Sequence, residues 1–380
     1  MVIDAHVHAF PCLMEPYGER PFSQHTLYLQ RFVASSPAAA IRRLRDNEIV
    51  TDKTQFQLWD EKNPGPGGAL DVNFHPGNFG RLVWEREGET YYLSLYAPNM
   101  QNMESSPEFL IAQMDAAGVS MAVLQNAFLY GDLNDYFKEA LAKYPSRFVG
   151  TIQINESRAF KKSEINKLTA YGSIPGFKAV YFANERFFEN AFKTAIDDEL
   201  FSPFWDQVRD LGLAVFWDIT AINEPGMKDP GPLNRFIKQM KRLEVWHKRY
   251  PEIPCILVHG IPLRNIRDGD SFIPIPDDLW NIWKRENMCL EFLFPMQVSH
   301  PVPGGSLFDY PYTELHPLIK DLRGKLGPEK LIWGTDLPNT ERNCTYKQAR
   351  LYLEKHCGVL TEADKRMILG ENIQRVLNIT

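Results

Sequence analysis

The chain is short of every signal that would make it a disulfide scaffold, a membrane protein or a nucleic-acid binder. Its five cysteines among 380 residues (Cys12, Cys255, Cys289, Cys344 and Cys357) are odd in number, scattered, and form no CxxC pair. Reduced thiols in a cytosolic protein fit this pattern better than a disulfide framework. No apolar run reaches about 18 residues, and no basic segment precedes the apolar N-terminal stretch, so neither a spanning helix nor a signal peptide is expected. The net charge of −6 is spread without long runs of one sign, which leaves no footprint for nucleic acid or an anionic membrane. No GxGxxG follows any strand candidate, so a nucleotide-binding sheet has no support. The expected partner is a small molecule, with a homodimer left open.

Hydrophobic residues make up 44% of the chain, and 24 Phe, 15 Tyr and 8 Trp can both fill a large core and line an aromatic-walled pocket. From about residue 105, apolar β-branched runs alternate with amphipathic stretches. The runs are "VSMAVLQ" (119–125), "FVGTIQI" (148–154), "FKAVYF" (177–182), "LAVFWDI" (213–219), "CILVH" (255–259), "MCLEFLF" (288–294) and "LIWGTD" (331–336). With the opening "VIDAHVH" they number eight. Helical stretches such as "SPEFLIAQMDAAG" and "FSPFWDQVRDLG" lie between them, opening on Ser-Pro caps and closing on Gly. Strands alternating with helices imply right-handed βαβ units and a parallel sheet, and eight such units fit a closed (β/α)8 barrel. We expect one barrel domain over residues 1–380. Residues 9–104 exceed an ordinary βα loop. They are expected to form a β-containing insertion over the barrel mouth, with a hairpin at Glu87-Gly88, and the closing "ILGENIQRVLNIT" to form a short helix docked outside the barrel.

In "DAHVH" the two histidines are two residues apart, so on a strand both project to one face and can ligate one metal ion. A chance pair on a half-exposed edge strand is the alternative. What tips the balance is convergence. In a parallel barrel the C-terminal strand ends meet at one mouth. His6 and His8 end the first strand, Asp218 lies near the end of the fifth, His259 ends the sixth and Asp336 the eighth. A buried carboxylate there costs several kcal/mol unless it is paired, hydrogen-bonded or bound to a cation. One such residue has an ordinary structural explanation; five on one mouth do not.

"DAHVH", "CILVHGIP", "LIWGTDLPN" and "ILGENIQRVLNI" resemble the amidohydrolase superfamily. The branch most resembled is the amidohydrolase-related group that includes aminocarboxymuconate semialdehyde decarboxylase and aromatic-acid decarboxylases. The resemblance implies His6 and His8 as metal ligands, Asp336 as a ligand or proton acceptor beside the metal, and His259 as the acid/base. Relatives usually end the fifth strand in a pattern like "PVFIHP", whose histidine is a ligand; here "AVFWDI" puts Asp218 in that place. The ligand set would then be His6, His8, Asp218 and Asp336 around one divalent ion, zinc first, with the extra oxygen ligand tilting the site toward Mn or Fe. Alternatively Asp218 is a base behind the ligands. Lys178 lies early in the fourth strand, where it cannot bridge two metals, so one ion is expected. Arg264 is a candidate for holding a substrate carboxylate. Asn126 and Glu291 are further candidates for the substrate pocket, and loops 260–276 and 295–311 for its walls. Trp217, Phe294 and the "YYLSLY" hairpin would suit a planar aromatic or unsaturated acid.

Three functions fit this reading. Hydrolysis of a small ester, lactone or amide is preferred, because a fourth, anionic ligand leaves the metal little charge to attract an acid. Non-oxidative decarboxylation of an aromatic or unsaturated acid is the alternative. A barrel that only binds a ligand is the reading from another class, and the retention of His6, His8, His259 and Asp336 argues against it.

Overall fold

The computed structural model describes residues 1–17, 22–35, 39–222, 228–298, 300, 302 and 304–379. Eight parallel strands form one sheet in chain order. They are β1 (Ile3–Val7), β2 (Met121–Leu124), β3 (Phe148–Gln153), β4 (Phe177–Ala183), β5 (Ala214–Asp218), β6 (Cys255–Leu257), β7 (Met288–Phe292) and β8 (Leu331–Trp333). Every residue of β1, β2, β3, β6, β7 and β8 is buried, as expected of strands covered on both faces. Just past β8 the chain pairs back to β1: Asp336 N donates to His6 O and His8 N to Leu337 O, both at 2.8 Å. These bonds close the (β/α)8 barrel and set Asp336 between the two histidines.

The helices fall where the patterns place them. Pro107–Ala117 begins at Ser106, whose side chain accepts from Phe109 N, and ends at Gly118 with φ 69°. Ser202–Asp210 covers "FSPFWDQVRDLG". Two strands end earlier than their apolar runs. β6 stops at Leu257 and β8 at Trp333, because His259 (φ 63°) and Asp336 (φ 59°) adopt left-handed backbone that a strand cannot hold. Both turn their side chains into the mouth by leaving the strand.

Residues 9–104 carry a four-stranded antiparallel sheet in the spatial order Ile41–Arg43, Glu89–Ser94, Arg81–Arg86, His75–Gly77. Glu87 (φ 52°) and Gly88 (φ 78°) make the tight turn between its two central strands. The insertion also holds helix α1 (Phe22–Ser35), which the β reading missed. Its signal was present: Tyr28, Leu29 and Val33 are buried at helical spacing. The insertion shares its hydrophobic core with the barrel, Phe10, Leu29, Trp84 and Tyr96 all belonging to it.

The aromatic residues expected at the mouth are in part core. Trp217 is fully buried and packs on Phe182, Trp205 and Trp246 with ring centroids 4.9, 5.1 and 4.8 Å away. It therefore faces the helices and not the mouth. At the C-terminus a single π turn (Met367–Glu371) precedes Asn372–Val376. Gly370 is required there, since a Cβ would stand 2.2 Å from Met1 O. The cysteines are all free. Among the described residues no helix is long and apolar enough to cross a membrane.

Candidate active site

The site is built where β1, β6, β7 and β8 end. His6 and His8 point the same way from β1, and their Nε2 atoms are 3.1 Å apart. Each ring is held from behind. His6 Nδ1 donates to Glu291 Oε2 of β7 (3.0 Å), and His8 Nδ1 donates to the Gln125 carbonyl after β2 (3.0 Å). His259 repeats the pattern, with Nδ1 3.3 Å from Asp218 Oδ1. The three Nε2 atoms surround Asp336: His8 is 2.9 Å from Oδ1, His6 3.7 Å from Oδ1, and His259 3.7 Å from Oδ2.

An acceptor at Nδ1 fixes the tautomer of a neutral imidazole and leaves its Nε2 as a lone pair. Three lone pairs and a carboxylate therefore converge, which is unfavourable without protons or a cation between them. Protons fill the gap when no metal does. Burial alone would lower the pKa of His259, but hydrogen bonding and charge from Asp218 and Asp336 push it up to about 10. Burial likewise opposes the rise of His6, which Glu291 and Asp336 drive. His8 shifts the other way, burial dominating. Burial would raise Asp336, yet the neighbouring His259, His8 and His6 imidazoles hold it well below the usual carboxylate range.

This donor set fits a divalent cation. His6, His259 and Asp336 each offer one ligand atom, all within 4.8 Å of one another. Imidazole nitrogens with one carboxylate oxygen suit Zn, Mn or Fe. Ligation would displace the protons that the free site holds.

Two expectations change. Asp218 stands outside the converging group, because its Oδ1 faces His259 Nδ1 and its Oδ2 accepts from Tyr181 OH (2.7 Å). In this arrangement it partners His259. Glu291, expected in the substrate pocket, has both oxygens engaged: Oε2 by His6 and by His259 N (3.3 Å), Oε1 by Gln125 Nε2 (2.7 Å). Asn126 donates to Gln153 Oε1 (2.9 Å), leaving its buried Oδ1 without a partner among the described residues. Arg264 is exposed on the loop after β6, where the Glu185 carboxylate acts on it.

Four supporting residues escaped the sequence reading. Asp4 is fully buried, and its carboxylate accepts from His6 N (2.9 Å), Thr335 N (3.0 Å), Thr335 Oγ1 (2.6 Å) and Tyr346 OH (2.8 Å), tying β1 to the segment after β8. Gln125, Gln297 and Asn339 are the others. Gln297 accepts from Leu263 N (2.7 Å) and donates to His259 O (2.9 Å), holding the His259 turn. The only signal for Asp4 was a carboxylate inside an apolar strand.

Comparison with known proteins agrees with this construction. A sequence model of the amidohydrolase family, Amidohydro_2, matches residues 3–379. The chain belongs to the amidohydrolase family. It is a metal-dependent enzyme of that superfamily. No curated protein matches the chain. A probable 2-pyrone-4,6-dicarboxylic acid hydrolase from Acinetobacter baumannii, solved with citric acid bound, superposes with a TM-score of 0.52 at 18% identity, over 73% of this chain and 90% of that one. The 2,6-dihydroxybenzoate decarboxylase from Rhizobium gives 0.51 at 16%, over 72% and 88%. A 5-carboxyvanillate decarboxylase from Novosphingobium aromaticivorans, complexed with manganese and a nitrobenzoic acid, gives 0.50 at 16%, over 71% and 79%. At these identities the likeness is one of fold.

Proposed function

We propose that the protein is a metal-dependent hydrolase of a small ester, lactone or amide. A single divalent ion would be held by His6, His8, His259 and Asp336, with zinc the first candidate and manganese or iron also suited to the donors. Such an ion, when bound, lowers the pKa of water and polarises a substrate oxygen. Asp336 supplies the base. It is held as an anion, its Oδ1 accepts from Asn339 Nδ2 (2.7 Å) and lies 2.9 Å from His8 Nε2, and its Oδ2 carries no hydrogen bond among the described residues. That uncommitted oxygen, buried beside the three Nε2 atoms, is the observation that carries the reading: it can take a proton from an attacking water. Asp218, Glu291 and the Gln125 carbonyl keep the imidazoles in the ligating tautomer.

A second reading, decarboxylation, is favoured by Arg342. Its guanidinium has no carboxylate partner within ion-pair distance among the described residues, its buried Nε has no hydrogen bond, and the charge of Asp336 acts on it. It could hold a substrate carboxylate at the mouth. Product identification in labelled water decides between the two. We expect one labelled oxygen in the organic product of a metal-loaded screen of esters, lactones and amides. Release of CO2 from an aromatic or enoic acid, with no label in the organic product, would establish the second reading.

A further inference from the structure

Asp336 has two oxygens, and the structure treats them differently. Both close polar contacts fall on Oδ1, from Asn339 Nδ2 at 2.7 Å and His8 Nε2 at 2.9 Å. Oδ2 is left 3.7 Å from His259 Nε2. The asymmetry originates in Asn339, the first residue of the short turn Asn339–Arg342 that follows Leu337-Pro338. Its amide nitrogen has two hydrogens, and both have acceptors: Asp336 Oδ1 and the hydroxyl of Tyr130 at 3.3 Å. A flipped amide would turn its own oxygen against the carboxylate and lose that bond, so the orientation is determined. Tyr130 is in turn immobilised. It is buried, its ring lies 4.7 Å from that of His8, and it stacks on Phe10 at 4.6 Å and 7°.

We propose that Asn339, braced by Tyr130, is the positioning residue that fixes the rotation of the Asp336 carboxylate, holding Oδ1 toward His6 and His8 and leaving Oδ2, on the His259 side, free of hydrogen bonds among the described residues. Without a donor at residue 339 the carboxylate is free to rotate about its last torsion, and either oxygen can face the histidines. The pair touches no reacting atom; it acts through Asp336. The proposal rests on the reading of Asp336 given above.

Because the substrate is unidentified, the probe is Co²⁺ alone, titrated by its absorption spectrum into chelator-stripped protein. Asn339→Leu keeps the side-chain size and removes the donor. It should bind Co²⁺ about 10–100-fold more weakly, the usual cost of losing a group that orients a metal ligand, and its cobalt spectrum should change. Tyr130→Phe, which removes only the brace, should show a smaller loss in the same direction. Unchanged affinity and spectrum in folded Asn339→Leu would overturn the proposal. Should that variant fail to fold, Asn339→Ser and Tyr130→Phe decide it by the same two readouts. Asp336→Asn separates the two levels of inference. If it binds Co²⁺ like the unmodified protein, Asp336 is no ligand and both readings fall. If it loses Co²⁺ while the Asn339 variants do not, only the role of Asn339 falls.

Discussion

Two buried polar clusters sit at the same end of the barrel, and they are built on opposite principles. Beside β3 and β4, Arg186 lies between Glu189 (3.0 Å) and Glu156 (3.4 Å), and donates to Ile154 O (3.0 Å). Glu189 also accepts from Tyr28 of α1 (2.7 Å) and from Asn155 (2.9 Å), while Glu156 accepts from Ala183 N (3.2 Å). Donors meet acceptors and opposite charges meet each other, so this cluster is complete without a ligand. Around Asp336 the arrangement is reversed: three imidazoles are each satisfied on Nδ1, and every remaining lone pair is turned toward the others. A satisfied cluster stabilises the fold and fastens α1 to the barrel. One whose acceptors face each other spends stability on readiness for a cation.

The contrast can be broken in a graded way. The largest effect is expected for His6→Ala combined with His8→Ala, which should abolish retention of metal, as read by elemental analysis after dialysis. If the double variant keeps stoichiometric metal, the converging cluster is not the site. Arg186→Ala should leave metal binding intact but destabilise the fold by about 3–5 kcal/mol, since it strands two buried carboxylates; denaturant unfolding checks this. A loss of metal affinity there, with the fold intact, would merge the two clusters into one. Asp218→Asn should weaken metal binding by about 10–100-fold as the partner of His259 is altered. A complete loss would restore Asp218 to the ligand set.

The smallest effect concerns pH. Burial pushes the Glu156 carboxyl up to about 7 from its ordinary 4.5. Between those values the unfolded chain ionises while the folded protein holds its proton, so stability falls as pH rises through that window and is level above it. The slope is about 1 kcal/mol per pH unit. Glu156→Gln should remove it between about pH 6 and 7, above the range in which the buried Asp4 carboxyl, pushed up to about 6, adds a slope of the same sign; melting curves will show this. A slope that persists in the variant would place its origin elsewhere.

The sequence alone determined the large-scale features. Eight apolar runs at helical intervals imply the barrel, and polar residues ending those runs imply a mouth that carries chemistry, because a strand's period of two and a barrel's parallel order are both readable along the chain. His6, His8, His259 and Asp336 were legible for that reason. Roles within the cluster were not. Asp218 as ligand and His259 as acid/base came from the resemblance to relatives, whereas the direction each side chain takes depends on the left-handed backbone through which His259 and Asp336 leave their strands. The partners that set each tautomer come from distant elements: Glu291 stands 285 residues from His6, and Gln125 stands 117 from His8. Trp217 was misplaced for the same reason, since which face of β5 meets the helices is set by packing against Trp205 and Trp246. Periodicity travels along a chain, but the direction of a lone pair depends on what closes against it in space. Only the tertiary structure decided that.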